Sequence, residues 1–113
     1  FPVKKTSDLF LLLSDFTHFD SSGQLQWDYD QVIDIKCEAP FDTVVGFFDR
    51  LSVIPSINEL KQLVLKGDVF FNHHVTLKGD VDISLINSEC LVIDESIMTL
   101  ENVVYKNGVF LPV

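Results

Sequence analysis

Apolar side chains recur at a fixed spacing in the second half of the chain, and this spacing predicts a stack of short strands. Two columns of apolar residues keep a period of six and are offset from each other by two positions. The first column contains Leu63, Val69, Val75 and Val81, and the second contains Leu65, Phe71, Leu77 and Ile83. Two inward residues separated by one outward residue show the alternation of a β-strand. A strand and a turn every six residues are typical of a parallel β-helix built from hexapeptides.

A repeated pentapeptide supports the same interpretation. Leu65-Lys66-Gly67-Asp68-Val69 recurs as Leu77-Lys78-Gly79-Asp80-Val81 twelve positions later, and the Lys-Gly-Asp core of each copy predicts a turn. The period slips between Val81 and Leu91, so we expect Asn87-Ser88-Glu89 to form a loop. After this loop the columns resume with Leu91, Ile97, Val103 and Val109, and two positions later with Ile93, Thr99, Tyr105 and Leu111. An antiparallel sandwich is the alternative, but it does not require the same offset pair on both sides of one insertion.

The first segment predicts a helix. Ser7 is the expected N-cap, and Asp8 then lies in the first turn, where the helix dipole favours a negative charge. The apolar stripe has the i, i+3, i+4, i+7 spacing and consists of Leu9, Leu12, Leu13 and Phe16. Phe10 and Leu11 add apolar surface outside this stripe, so we expect the helix to be covered on most sides.

A second helix and two short strands are predicted before the repeats. The helix is expected to run from Asp42 or Thr43 to Leu51. Its apolar face consists of Val44, Phe47, Phe48 and Leu51. The short strands are expected at residues 25–27 and 32–35.

Composition and charge limit the classes of partner that fit this chain. The 113 residues are 47% hydrophobic, which is enough to build the core of one domain and argues against disorder. The net charge of −9 disfavours nucleic acid as a partner, because an acidic surface repels phosphate backbones. The longest compact apolar run, at residues 9–13, is too short to span a membrane. We therefore expect neither nucleic acid nor a membrane as a partner.

The cysteines and the first residue bear on location and completeness. Cys37 and Cys90 lack the spacing of a metal site, and they fit reduced, buried thiols in the cytoplasm better than a disulfide framework. The chain begins at Phe1, and its one methionine is Met98. We therefore expect it to be a piece of a longer protein.

A lysine in an extended, proline-containing segment precedes the first helix. The segment consists of Pro2-Val3-Lys4 followed by Thr6-Ser7-Asp8-Leu9. A lysine there is a point charge for phosphate, and helix N-terminal amides add to such a site, although most lysines before helices are simply solvated. This segment and a second block later in the chain resemble eukaryotic UTP–glucose-1-phosphate uridylyltransferases, the UDP-glucose pyrophosphorylases, in order and in spacing. The second block contains Ile54-Pro55-Ser56, Gly67-Asp68-Val69 and residues 75–79.

The resemblance implies an architecture. We expect a mainly β chain in which two short helices and short strands precede a left-handed parallel β-helix, the handedness coming from the family and from the hexapeptide period. Residues 1–16 would be the tail end of the catalytic nucleotidyltransferase domain. Residues 17–60 would be a connecting segment with a helix, and residues 61–113 the C-terminal β-helix.

The resemblance also implies a reaction, in which glucose 1-phosphate attacks the α-phosphorus of UTP and gives UDP-glucose and pyrophosphate. The family's motif lysine contacts the phosphates of UTP or UDP-glucose, and by position it is Lys4. Lys5 stands where the family more often has a small hydroxyl residue, so it is the second candidate for the phosphate contact. The expected Mg²⁺ would be bound by the parent enzyme outside this chain. The family's Gly-rich nucleotide loop is absent, so we expect the isolated chain to be inactive.

Two other function classes remain open. His73-His74 fits a turn or surface better than a metal site, but hexapeptide-type acyltransferases use a histidine as general base, which makes them the alternative enzyme class. A stand-alone interaction module that forms a homo-oligomer through the β-helix is the non-enzymatic alternative. Four acidic residues are expected to be solvated rather than to bind a cation, namely Asp80, Asp82, Asp94 and Glu95. Trp27 is expected to pack rather than to bind a sugar.

Overall fold

The computed structural model describes residues 3–27 and 31–113, and in this part of the chain two helices and nine strands occur. The helices are α1 (Thr6–Leu13) and α2 (Val44–Arg50). The first strands are β1 (Thr17–Phe19), β2 (Leu25–Trp27), β3 (Asp34–Cys37), β4 (Ser56–Lys66) and β5 (Asp68–Phe71). The later strands are β6 (Thr76–Ser84), β7 (Cys90–Ile93), β8 (Thr99–Lys106) and β9 (Val109–Pro112). The prediction of a mainly β chain with two short helices is confirmed.

The main sheet contains both parallel and antiparallel strands, whereas the predicted β-helix would contain parallel strands throughout. The main sheet has the order β3-β4-β6-β8-β9, in which β3, β4, β6 and β8 pair in parallel and β9 returns antiparallel to β8. An antiparallel pair, β1–β2, and a parallel pair, β5–β7, form two smaller sheets. The prediction of a left-handed parallel β-helix is therefore wrong, because parallel and antiparallel pairing are combined.

Parallel pairing explains why the sequence nonetheless showed aligned apolar columns. Leu63 lies beside Val81 and Leu65 lies beside Ile83 across β4 and β6. Because side chains alternate between the two faces of a strand, such pairing stacks inward residues side by side in any parallel sheet. All eight residues of the first two predicted columns are at most 2% exposed and belong to one core.

Only some of the apolar residues predicted to continue the two columns after residues 87–89 are buried. Ile93 is buried, but Thr99 is exposed and its neighbour Leu100 is the buried residue. The pairing of β6 with β8 has an irregularity between Lys78 and Val81, and this irregularity shifts the phase of the inward positions. The segment at residues 87–89 lies between strands β6 and β7, as predicted.

The two copies of the pentapeptide have different structures. Gly67, with a φ of +91°, separates β4 from β5, so the predicted turn is confirmed there. Gly79, with a φ of +65°, lies inside β6 at the irregularity of its pairing, so the second predicted turn is wrong. A positive φ inside a strand is typical of a bulge, which glycine tolerates because it has no Cβ.

The two helices pack on one end of the core through aromatic side chains. Phe10 of α1 is fully buried and meets Phe47 of α2 edge to face, with ring centroids 6.0 Å apart. The predicted stripe of α1 is thus wrong at its centre, since Phe10 faces the core and Leu13 is 44% exposed. The second helix is confirmed, and the Thr43 side chain caps it by accepting a hydrogen bond from the backbone N–H of Gly46. Its predicted apolar face is only half right, since Phe47 and Leu51 are buried but Val44 and Phe48 are exposed.

No helix within residues 3–27 and 31–113 is long and apolar enough to cross a membrane. The longer of the two, α1, has eight residues.

We expect Gly79→Ala to lower the free energy of unfolding by about 2–4 kcal/mol, because an L-residue is strained at positive φ and the added methyl group overpacks the site. That methyl carbon would lie 2.1 Å from Oδ1 of Asn102, the atom that accepts a hydrogen bond from the N–H of Asp80. Urea denaturation measures the change. Gly23→Ala is the matched control, since Gly23 has a φ of +84° and nothing within 4 Å. Equal losses in the two variants would contradict the proposed clash.

Candidate functional site

The two lysines predicted to meet phosphate lie at the start of α1. Both side chains are exposed, and Lys5 is the N-cap residue with extended backbone, so the predicted cap at Ser7 is wrong. The Asp8 carboxylate accepts hydrogen bonds from the backbone N–H groups of Lys4 and Lys5, at 3.1 and 3.2 Å. These two backbone N–H groups are therefore satisfied by Asp8, and only the lysine side chains remain free to contact an anion.

A buried layer supports the lysine-bearing backbone from below. Thr6 and Ser7 are 6% and 9% exposed, although both are polar. Burial raises the pKa of the Cys37 thiol to about 11, partly offset by its hydrogen bond with Thr6, while the negative charge of Asp42 raises it further. Cys37 is therefore a neutral thiol at physiological pH and serves as packing beneath the lysines rather than as a nucleophile.

Two surface depressions flank Lys5. The first has a volume of about 280 Å³, and its lining includes Lys4, Lys5, Asp42 and Val44. The second has a volume of about 320 Å³, and its lining includes Lys5, Asp34 and Asp42. Lys4 thus borders one depression, whereas Lys5 borders both.

The chemistry of this surface is that of a cationic contact. Among the described residues, neither Lys4 nor Lys5 forms an ion pair, so both ammonium groups are available to an anion. Nowhere in residues 3–27 and 31–113 do three or more His, Cys, Asp or Glu side chains come together to hold a metal ion. The site can therefore supply positive charge, but its described residues offer no metal centre.

A second carboxylate anchors the other end of α1. Asp15 Oδ1 accepts the backbone N–H of Ile57 at 2.8 Å. Asp15 Oδ2 accepts hydrogen bonds from the side-chain amide of Asn58, at 3.1 Å, and from the Ser56 hydroxyl. Sequence patterns do not reveal this contact, because its partners lie 41–43 positions away and local periodicity carries no information about such pairs.

The remaining histidine and aspartate candidates lie far from the lysines in sequence and make structural contacts. His73 lies between β5 and β6, where its Nε2 is 3.0 Å from the carbonyl oxygen of Ile97, while the side chain of His74 is exposed. Asp94 is one of the four acidic residues that are candidates for a cation site. It accepts hydrogen bonds from the hydroxyl and N–H of Ser96, which lower the pKa of its carboxyl group.

No metal cluster forms around Asp80, Asp82, Asp94 and Glu95 within the described parts of the chain. Trp27 is partly buried against the core, as predicted.

The far edge of the main sheet carries a different surface. Strand β9 is the last strand of that sheet, and three exposed apolar residues belong to it or follow it, namely Val109, Leu111 and Val113. A further depression of about 610 Å³ is lined by residues of β6, β8 and the loop after β6, such as Ser84, Glu89 and Lys106. Its lining contains neither Lys4 nor Lys5, so this depression and the lysine site are separate.

Comparison with known proteins connects both the sequence and the fold to one enzyme family. The family model described as UTP–glucose-1-phosphate uridylyltransferase matches residues 1–78. The enzyme of that name from Saccharomyces cerevisiae is 38% identical over 106 residues, which cover 91% of this chain and 21% of the yeast protein. The barley (Hordeum vulgare) enzyme is 41% identical over 88 residues, covering 74% of this chain and 18% of the plant protein.

Solved structures give the same result. A UDP-glucose pyrophosphorylase variant from Leishmania major, crystallised with UDP-glucose, has a TM-score of 0.83 at 26% identity over 92% of this chain and 23% of that protein. The protein from Trypanosoma brucei named UDP-glucose phosphorylase has a TM-score of 0.79 at 26% identity, covering 89% of this chain and 22% of its own. This chain spans about a fifth of the length of the curated relatives that it matches. The chain belongs to the UTP–glucose-1-phosphate uridylyltransferase family.

Proposed function

We propose that this chain is the C-terminal part of a nucleotidyltransferase that makes UDP-glucose and pyrophosphate from UTP and glucose 1-phosphate. Residues 1–16 would belong to the catalytic domain of that enzyme. The observation that carries the proposal is the pair of exposed, unpaired lysines held on a fixed backbone inside the segment that matches the family. The names of the relatives and the UDP-glucose in the Leishmania major crystal support the choice of substrates.

The proposed reaction is a displacement at phosphorus. A phosphate oxygen of glucose 1-phosphate forms a bond to the α-phosphorus of UTP, and the bond from that phosphorus to the bridging oxygen breaks, so that pyrophosphate leaves with the electron pair. Negative charge on the phosphates is offset by nearby cations. Lys4 is one such cation, with Lys5 as the second candidate, and neither acts as a nucleophile.

Magnesium is proposed for the parent enzyme at a site outside this chain. The described residues do not fit a metal site, so we derive no step that uses one of them as a ligand. When bound, Mg²⁺ supplies Lewis-acid stabilisation of the phosphates. We place the enzyme in the cytoplasm, which agrees with two free cysteines in the described part of the chain, although Cys90 is exposed rather than buried as predicted.

A role in assembly is the second candidate function, and the edge strand β9 supports it. An edge strand presents unpaired backbone groups that pair readily with another strand. Val109, Leu111 and Val113 add apolar surface there, being 51%, 42% and 73% exposed. We propose that a second copy of the protein covers this edge, which makes the parent enzyme a homo-oligomer.

In the parent enzyme, we expect Lys4→Ala to lower kcat/KM by about a hundredfold or more, because removing one preorganised charge-stabilising group typically costs this much. Lys5→Ala is the matched control and should lower it less than tenfold. Initial rates of pyrophosphate release, measured with UTP, glucose 1-phosphate and magnesium, give both values. A larger loss for Lys5→Ala would assign the phosphate contact to Lys5, and wild-type rates in both variants would refute a role for the pair.

We expect the isolated 113-residue chain to release no pyrophosphate under the same conditions. Its five glycines are dispersed along the chain and do not form a Gly-rich phosphate loop. The same assay, with the parent enzyme as positive control, measures this. Turnover by the isolated chain would show that the nucleotide site does not need the rest of the enzyme.

We expect the wild-type parent enzyme to be larger than a monomer in size-exclusion chromatography with light scattering. Leu111→Lys should shift the mass towards the monomer, since a charge on an edge strand opposes strand pairing. Phe19→Lys is the control, because Phe19 is 71% exposed but lies in the β1–β2 hairpin. A monomeric wild type at high concentration would exclude this assembly, and an unchanged mass in Leu111→Lys would exclude this edge.

A further inference from the structure

The segment after α1 is fastened to the start of β4 through one side chain, Asp15. Its carboxylate accepts three hydrogen bonds from three successive residues, Ser56, Ile57 and Asn58. One donor is a backbone N–H, one is a hydroxyl group and one is a side-chain amide. Such charge-assisted hydrogen bonds are shorter and stronger than those between neutral groups.

These hydrogen bonds supply what the apolar contacts of α1 lack. Phe10 and Phe16 place the helix on the core, being 0% and 8% exposed. Apolar burial is non-directional, so it leaves the helix some freedom to slide or rotate against the sheet. Hydrogen bonds require both distance and angle, so the contacts of Asp15 fix the position of the helix along β4.

The opposite end of the same helix carries the lysines. Asp8, in the first turn, holds the backbone N–H groups of Lys4 and Lys5. The eight residues of α1 form a rigid rod about 12 Å long at the usual rise per residue. A displacement at Asp15 is therefore transmitted to Lys4, and a misplacement of about 1 Å at a reacting centre can cost about a hundredfold in rate.

We propose that Asp15 is a positioning residue for the reaction: it docks α1 on β4 and thereby sets where Lys4 meets the phosphates. The catalytic half of this inference rests on the proposed function. The docking half rests only on the contacts of this chain. Two measurements, one for each half, make their failures distinguishable.

The first measurement is hydrogen–deuterium exchange of the parent enzyme with Asp15→Asn, followed at the amides of this chain. The variant keeps one acceptor for the Ile57 N–H but places an NH₂ group where Oδ2 received the Ser56 and Asn58 donors. We expect amides in residues 6–14 to exchange about five- to tenfold faster, the effect of losing a hydrogen bond of ordinary strength on local opening. Unchanged exchange in residues 6–14 would overturn the docking role.

Asp20→Asn is the matched control for this experiment. The Asp20 carboxylate also accepts several hydrogen bonds, from Ser22, Gln24 and Gln26, but all of these partners lie within six residues of it. Asp20→Asn should speed exchange in the β1–β2 hairpin and leave residues 6–14 unchanged. Equal acceleration of residues 6–14 in both variants would indicate general loosening and overturn the specific role of Asp15.

The second measurement is a double-mutant cycle in the parent enzyme. We expect Asp15→Asn to lower kcat about tenfold with less than a twofold change in KM, and Asp20→Asn to leave both unchanged. If Asp15 acts through Lys4, the double variant Lys4→Ala/Asp15→Asn has the kcat of Lys4→Ala alone. Additive losses in the double variant, or a wild-type kcat in Asp15→Asn, would overturn the positioning role.

The Lys4→Ala single variant separates the two proposals. If it retained wild-type turnover, the proposed role of Lys4 would be refuted, and the catalytic role of Asp15 with it. The exchange experiment would still decide whether Asp15 docks the helix.

Discussion

The structure depends on the burial of side chains that parallel strands stack against one another. Leu63 and Val81, and then Leu65 and Ile83, lie side by side across β4 and β6, and all four are at most 2% exposed. Burying one such side chain contributes about 1.5–3 kcal/mol, so the set outweighs any single polar contact in the molecule. The helices, the edge strand and the lysine segment all attach to this core, and their positions follow from it.

The lysine segment shows how an exposed site is built on such a core. Phe10 anchors α1 by packing against Phe47, and the Asp8 carboxylate then organises the turn in front of the helix. The lysine side chains remain in solvent because their backbone, rather than their ammonium groups, makes the contacts. Because the backbone is held and the side chain is free, each ammonium group extends from a fixed Cα position, which suits a point-charge contact with phosphate.

The sequence predicted which residues form the core better than it predicted how the strands pair. Period-two alternation identified Leu65, Phe71, Leu77 and Ile83 as core residues, and all of them are fully buried. The same pattern cannot distinguish a β-helix from a mixed sheet, because side-chain direction reports which face is inside and not which strands are neighbours. The family motif identified the lysines, whose position no periodicity could have given. The contacts of Asp15 depend on tertiary structure alone, so no local sequence pattern predicts them.

The charges around the lysine segment limit how strongly this chain alone could attract a phosphate. Lys4, Lys5 and Lys36 line the two depressions together with Asp34 and Asp42, and the Asp8 carboxylate lies at the same helix end. Lys36 also pairs with Glu38, with Nζ 3.5 Å from Oε1, so these three cations have at least as many anions beside them. Remote charges are screened beyond a Debye length of about 8 Å at physiological ionic strength. The local field therefore has little net attraction for a triphosphate, and the net charge of −9 on the whole chain adds none. Under the proposed function, a lysine in this setting would stabilise a phosphate only after other groups had bound and oriented the nucleotide. Under the proposed function, the chain would contribute one cation on a fixed backbone, and the binding energy for the nucleotide would come from the rest of the enzyme.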